Sequence, residues 1–158
     1  MSEKIFYSTK TYGTDRGLSC AFRQWKATHS HCRLLHGYSI GIKLVFGCEQ
    51  LDERNWTMDF GGLKDFKKWS EDMFDHTLII AEDDPERATF ENLHAIGVAD
   101  IRIVKAVGCE RFAEMCYDKM SQFIQQGKNN GSLLNSTVFL ESVEVFEHGA
   151  NSAICSKN

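Results

Sequence analysis

Between His29 and His36 the chain places three of its six histidines and one cysteine, Cys32, within eight residues, and the run leads into Gly37-Tyr38. Imidazole and thiolate are the side chains that bind transition metals and exchange protons near neutral pH. Neither is a preferred core or turn residue at such density, so this segment is the first candidate for a chemical centre. A solvated polar loop is the plain alternative, because the spacing matches no closed Cys/His zinc pattern. Further along stand Asp75-His76, Cys109-Glu110 and Glu147. Singly, Asp75 can cap a turn, His76 can be a satisfied interior histidine, Glu110 can complement a helix dipole and Glu147 can be solvated. Together, a thiol, a His/Asp pair and an anchoring carboxylate are what proton transfer on a polar heterocycle requires.

The elements that must position these groups follow from the hydrophobic period. Lys4 to Tyr12 and Leu18 to Ala27 alternate as half-buried strands do, and Tyr38 to Phe46 is the clearest strand, starting where the histidine cluster ends. Leu63, Phe66, Trp69 and Phe74 recur at amphipathic-helix spacing, which predicts a helix from about Phe60 to Met73. The apolar run Thr77–Ile80 follows, then a short helix from about Glu86 to Ala95 stopped by Gly97, then a short strand over Ile101–Val104. Phe112, Met115, Cys116, Met120 and Phe123 predict a second long helix, Cys109 to Gln125, broken by Gly127 to Gly131. Ser136 to Phe146 reads as a late strand with Glu147 at its end. The order is β-β-α, a variable middle, then α-β-β, with no repeat, linker or low-complexity tract, so residues 1–158 are expected to form a single domain.

Composition limits the partners. The 158 residues are 42% hydrophobic and 25% charged with one proline, as in an ordinary globular chain. A formal charge of -4 without any block of lysine and arginine leaves no electrostatic footprint for nucleic acid or an anionic membrane, and points to a small-molecule partner. The N-terminal residues lack the apolar core of a signal peptide and no run reaches membrane-spanning length, so a cytoplasmic protein is expected. Six cysteines without paired spacing favour thiols over disulfides. Cys20, Cys48, Cys109, Cys116 and Cys155 read most simply as small buried hydrophobes, and His94 as a surface residue.

The ordered motifs resemble those of the 6-pyruvoyltetrahydropterin synthase/6-carboxytetrahydropterin synthase family over nearly the whole length. Cys32-Arg33-Leu34-Leu35-His36-Gly37 stands for the family's cysteine followed by His-Gly-His. Met58-Asp59-Phe60 with Leu63-Lys64 stands for Asp-Phe-x-x-Leu-Lys, and Phe74-Asp75-His76-Thr77-Leu78 for its Leu-Asp-His segment. Gly108-Cys109-Glu110 stands for a Thr/Ser-Glu helix start, and Val143-Glu144-Val145-Phe146-Glu147 for the strand ending in a pterin-binding glutamate. The resemblance implies an α+β tunnelling fold (T-fold): a four-stranded antiparallel sheet with helices on one face, closed into a barrel in a homo-oligomer. Hexamers built from trimers, with active sites at subunit interfaces, are the family's usual assembly.

On this resemblance Glu147 would bind the pyrimidine edge of a pterin, Cys32 would act as general acid or base, and His76, oriented by Asp75, would shuttle a second proton. Cys109 and Glu110 would support the substrate from the helix start. The implied substrate is 7,8-dihydroneopterin triphosphate. The carboxy-forming branch releases acetaldehyde and triphosphate on the route to deazapurines such as queuosine, whereas the pyruvoyl-forming branch eliminates triphosphate without carbon-carbon cleavage. The family also implies zinc held by three histidines. Here His36 matches, but Tyr38 replaces the second histidine of His-Gly-His and Lys26 falls near the expected strand ligand. His29, His31 or His148 could then complete the set. A pterin- or purine-binding protein of the same fold without metal chemistry is the alternative to a lyase.

Overall fold

The computed structural model describes residues 4–158. Strands β1 (Phe6–Tyr12), β4 (Gly41–Cys48), β7 (Phe139–His148) and β8 (Asn151–Ser156) form one antiparallel sheet in the order β1-β4-β7-β8. This is the four-stranded antiparallel sheet that the resemblance implies. A second sheet, absent from the sequence reading, has the order β3-β2-β5-β6, from β2 (Ser19–Phe22), β3 (His36–Ser39), β5 (Thr77–Ala81) and β6 (Ile101–Val104). It is mixed: β2 pairs antiparallel with β3 but parallel with β5, and β5 pairs parallel with β6. Short helix α2 (Arg87–Ala95) makes the crossover that a parallel β5–β6 pair requires. Residues 82–106 thus form an added sheet edge.

The strand expected from Tyr38 to Phe46 is two strands in two sheets. Ile40 N donates to Leu18 O, and Ser39 Oγ donates to Thr14 O, so the chain crosses between the sheets at Ile40. Gly41 permits the crossing, because a Cβ there would stand 3.1 Å from Tyr12 O and 3.2 Å from Thr14 N. Alternation alone cannot register such a change of partner, since period is indifferent to which strand lies alongside. Likewise only Ser19–Phe22 of the expected Leu18–Ala27 strand is extended. Beyond it, Ala27 N donates to Gln24 O and Ser30 N to Ala27 O in successive turns.

The first long helix begins later than its apolar spacing suggested. Phe60–Leu63 is a 3-10 turn capped by the Asp59 carboxylate, which accepts from Gly61 N, and α1 runs Lys64–Phe74. It buries Phe66, Ser70 and Phe74, one face at four-residue spacing. Helix α3 runs Cys109–Asn130, five residues past the expected Gln125. Gly127 remains helical and buried, with Leu133 Cβ 3.1 Å from where its own Cβ would be, and Gly131 at φ 76° supplies the left-handed stop. The stripe Phe112, Cys116, Met120 and Ile124 lies in the main core with Ile42, Leu44, Phe46, Val143 and Val145 of the antiparallel sheet. The β7 strand starts at Phe139, because Ser136–Val138 forms a turn in which Val138 N donates to Asn135 O.

Burial of thiols predicts alkaline sensitivity. Burial pushes Cys20 up to about 12, and the fully buried Cys116 higher still, from an ordinary value of 9.0. Both stay neutral in the folded chain after their unfolded counterparts have ionised. Stability is therefore intact below pH ~9 and falls as pH rises through the folded values, by up to about 1.4 kcal/mol per pH unit for one such thiol. Thermal melts between pH 8 and 11 should show falling midpoints, with a shallower slope in Cys116→Ala.

Candidate functional site at the β3 and β7 ends

Pairing of β2 with β3 sets Cys20 opposite Tyr38 and Phe22 opposite His36. The Tyr38 ring stacks on Phe22 at 4.5 Å and 18°, and Phe22 meets Phe112 edge-on at 4.9 Å. This aromatic column, rooted in α3, holds the phenol in place. His36 Nδ1 donates to Leu34 O at 2.7 Å, so Nε2 carries the lone pair of the neutral ring, and the Tyr38 hydroxyl donates to it. Burial, then the negative charge of Glu147 and the thiolate forms of Cys32, Cys109 and Cys20, push the phenol up to about 12. It stays a proton donor at neutral pH.

Cys32 lies in the 3-10 turn His31–Arg33, with its amide on Ser30 Oγ at 3.1 Å and its carbonyl accepting Gln24 N at 2.8 Å. The backbone is pinned on both sides while the thiol is exposed. Glu147 is the extra residue of a β-bulge: Phe146 pairs with Ser152 and His148 with Asn151, leaving Glu147 unpaired between them. A bulge redirects a side chain that regular pleating would alternate, and Glu147 is half-buried near Tyr38. Cys109 opens α3, is buried, and donates its thiol hydrogen to Val145 O at 2.9 Å. Burial, then Glu147 and Glu110, push it up to about 11, so at neutral pH it is a structural donor. Glu110 is exposed in the first turn of α3.

Asp75 ends α1, its amide donating to Glu71 O at 2.9 Å. His76 adopts left-handed backbone at φ 56°, an uncommon conformation for a residue with a side chain, and its amide donates to Ser19 O at 2.6 Å. Its Nδ1 donates to the Asp75 carboxylate, leaving Nε2 as the free nitrogen of an exposed ring. Among the described residues no hydrogen bond links this pair to Cys32 or Glu147. The chain therefore presents two clusters: Tyr38, His36, Cys32, Cys109 and Glu147 in one, and Asp75 with His76 in the other.

The histidine set expected for zinc does not come together. Among the described residues no three His, Cys, Asp or Glu side chains are gathered to hold a metal ion. His36 Nε2 faces the Tyr38 hydroxyl, while His29 and His31 are exposed in the loop before it. Lys26 pairs with Asp83 at 3.1 Å and lies over the Trp25 ring. His148 is engaged locally, accepting Ala150 N at 3.2 Å. A tetrahedral site needs three convergent lone pairs, and at two positions where the resemblance implies histidines this chain has Tyr38 and Lys26.

Sequence reasoning missed what the 82–106 segment does. Arg23 donates from Nε and Nη2 to both oxygens of Asp84, at 2.8 and 2.5 Å, and the Asp84 side chain is only 1% exposed. Burial alone would raise the Asp84 carboxyl, but hydrogen bonds from Arg23 and Glu86 N, with the Arg23 charge, hold it below its ordinary value. The neighbouring Asp83 accepts from Trp25 Nε1 and pairs with Lys26. Two adjacent carboxylates thus latch the loop that leads into the Cys32 turn. The local signal was the acidic turn Asp83-Asp84-Pro85 ahead of a helix, which does not show that its partners lie about sixty residues away.

Comparison with known proteins places this arrangement in a family. The fold matches an uncharacterized protein from Wolinella succinogenes at TM-score 0.78, with 20% identity and coverage of 98% of this chain and 99% of that one. It matches the 6-pyruvoyl tetrahydropterin synthase of Plasmodium vivax at TM-score 0.68, with 17% identity, 98% of this chain and 99% of that one. These identities support the α+β T-fold alone. The 6-pyruvoyl tetrahydropterin synthase family model matches residues 13–158, and the chain belongs to that family. It is also 38% identical over 56 residues to the 6-carboxy-5,6,7,8-tetrahydropterin synthase of Rickettsia conorii, a match covering 35% of this chain and 41% of that protein. The chain thus spans about two fifths of the length of the curated relatives it matches. No helix among the described residues is long and apolar enough to cross a membrane.

Proposed function

We propose that this protein is a lyase of the 6-carboxy-5,6,7,8-tetrahydropterin synthase kind, acting on 7,8-dihydroneopterin triphosphate on the route to deazapurines such as queuosine. The observation that carries the reading is the shared neighbourhood of Glu147, Tyr38, Cys109 and Cys32, from four elements brought to one place around a bulged carboxylate. A carboxylate there accepts two N–H groups of a pterin's pyrimidine edge, with the Tyr38 hydroxyl and the β7 backbone beside it. Cys32, exposed on a pinned turn, exchanges a proton with the substrate side chain. His76, with Nδ1 held by Asp75, moves the second proton at Nε2. The pair faces solvent in the single chain, so it serves the Cys32 cluster of a neighbouring copy in a homo-oligomer, a trimer-based hexamer on the family's pattern. These steps use only the chain's own groups. The names of the curated relatives favour the carboxy-forming product, and the pyruvoyl-forming one is the close alternative within the same fold.

A second reading has its own support. The hydrogen bond from Tyr38 to His36 Nε2 occupies the nitrogen that zinc would need, which favours a pterin- or purine-binding protein that has set metal chemistry aside. One experiment separates the two: the purified cytoplasmic protein incubated with dihydroneopterin triphosphate, with and without added zinc, and products followed by mass spectrometry. Acetaldehyde with a 6-carboxypterin establishes the lyase. Retained pterin without turnover in either condition establishes the binding protein, and a Lys26→His/Tyr38→His variant should then take up about one zinc per chain where the parent takes up far less.

A further inference from the structure

The Cys32 thiol is exposed and has no hydrogen-bonding partner among the described residues, so the backbone beneath it decides where it stands. That backbone is a closed ring of turns. Gln24 N donates to Cys32 O at 2.8 Å, Ala27 N to Gln24 O at 2.9 Å, Ser30 N to Ala27 O at 3.0 Å, and Cys32 N to Ser30 Oγ at 3.1 Å. Between Arg23 and Gly37 no residue is buried. A segment with so little apolar packing opens readily unless something else fixes it.

The fixed point is Arg23, at the base of the ring. Its Nε and Nη2 donate to the two oxygens of Asp84, its Nη1 reaches Arg33 O at 3.5 Å, and its guanidinium carbon stands 5.7 Å from the centre of the Phe90 ring. Asp84 is itself held from behind. Its carboxylate accepts Glu86 N at 2.9 Å and its own amide donates to Ala81 O at 3.0 Å, while Phe90 lies in a small core with Leu78 and Ile80. One planar cation thus joins the buried end of β5 and the start of α2 to the residue that follows Cys32. A guanidinium can serve all these partners at once, whereas an ammonium is a single point of charge.

We infer that Arg23 and Asp84 are positioning residues for the Cys32 thiol, and that the added 82–106 segment supplies the wall against which the Cys32 turn is set. The kinetic consequence rests on the lyase reading above: a misplacement of about 1 Å in a proton-transferring group can cost about 100-fold in rate. The ordering of the ring does not depend on that reading.

Removing either partner outright leaves the other charge unanswered beside the small core, and such a variant can fail to fold. Two conservative variants avoid this. Arg23→Lys keeps a positive charge beside Asp84 but gives up the fork, and Asp84→Asn keeps an acceptor for Glu86 N while removing the carboxylate. Amide hydrogen exchange of the full chain, followed by NMR without substrate, is the first readout. In both variants the amides of Gln24, Ala27, Ser30 and Cys32 should exchange roughly tenfold faster than in the parent, while those of α3 and the antiparallel sheet keep their rates. Turnover of dihydroneopterin triphosphate is the second: kcat should fall about tenfold, with pterin affinity within about twofold of the parent. Arg102→Lys, which weakens a fork to Asp100 and Asp72 in the same added segment, should change neither. Parental exchange in the ring overturns the inference, and so does acceleration spread evenly over the whole chain, which marks a purely structural ion pair. Parental kcat in a variant whose ring has loosened overturns the positioning role as well. Absence of turnover in the parent removes the lyase reading alone, and the exchange rates still decide whether Arg23 and Asp84 order the Cys32 turn.

Discussion

On the proposed lyase reading, replacing Cys32 with alanine should lower turnover of dihydroneopterin triphosphate by about 10²–10⁴-fold, the usual worth of a positioned general acid or base, while pterin affinity stays within about twofold. The geometry supports this division. The Cys32 backbone is held at both its amide and its carbonyl, by Ser30 and Gln24, and neither contact uses the side chain. The thiol is exposed and takes no part in the core, so its removal leaves no cavity. Cys109→Ala is the contrasting control: its thiol is buried and bonded to Val145 O, so that variant should lose stability before it loses chemistry. Steady-state kinetics, pterin titration and melting temperature on both variants are the measurements. An equal loss of affinity and turnover in Cys32→Ala would show instead that the turn shapes the binding surface.

Glu147→Ala should act in the opposite sense, weakening pterin binding by about 100-fold, as expected when two charge-assisted hydrogen bonds to one carboxylate are lost. Glu147→Gln, which keeps the shape but can accept at only one atom, should fall between. A second readout needs no ligand. Glu147 is among the causes that hold the Tyr38 phenol and the Cys109 thiol high, so both should ionise at lower pH once the carboxylate is gone. Ultraviolet titration of the phenol reports this directly. A phenol titration unchanged by Glu147→Ala would mean that the bulge does not bring Glu147 to Tyr38, and the common site would fail with it.

The second cluster explains why a single chain looks incomplete. Asp75 and His76 form a bonded pair with one free imidazole nitrogen, held by a left-handed residue at the end of α1, and they face solvent. Backbone strain without a local use is retained where the surroundings demand it. Here the demand comes from the hydrogen bond that the His76 amide donates to Ser19 O, which ties the pair to β2 and so to the same sheet that carries Tyr38. A copy of that sheet in a neighbouring subunit is what the free nitrogen would meet in the proposed assembly.

Much of this molecule was legible in the chain. The dense histidines with Cys32, the four-residue stripes of α1 and α3, and the ordered motifs ending at Glu147 are local patterns, and local patterns survive in one dimension because helix period and motif spacing are set within a few residues. The family followed from them, and so did the antiparallel sheet. What tertiary structure decided were the relations between distant residues. Gly41 hands the strand from one sheet to the other because Tyr12 and Thr14 approach it. Arg23 finds Asp84 sixty-one positions away, only because β5 lies beside β2. Tyr38 reads as a lost metal ligand in sequence, and becomes a donor closed onto His36 only once Phe22 and Phe112 fix its ring. A sequence states which groups are present and their local period, whereas distance, burial and charge between remote groups exist only after the chain has closed on itself.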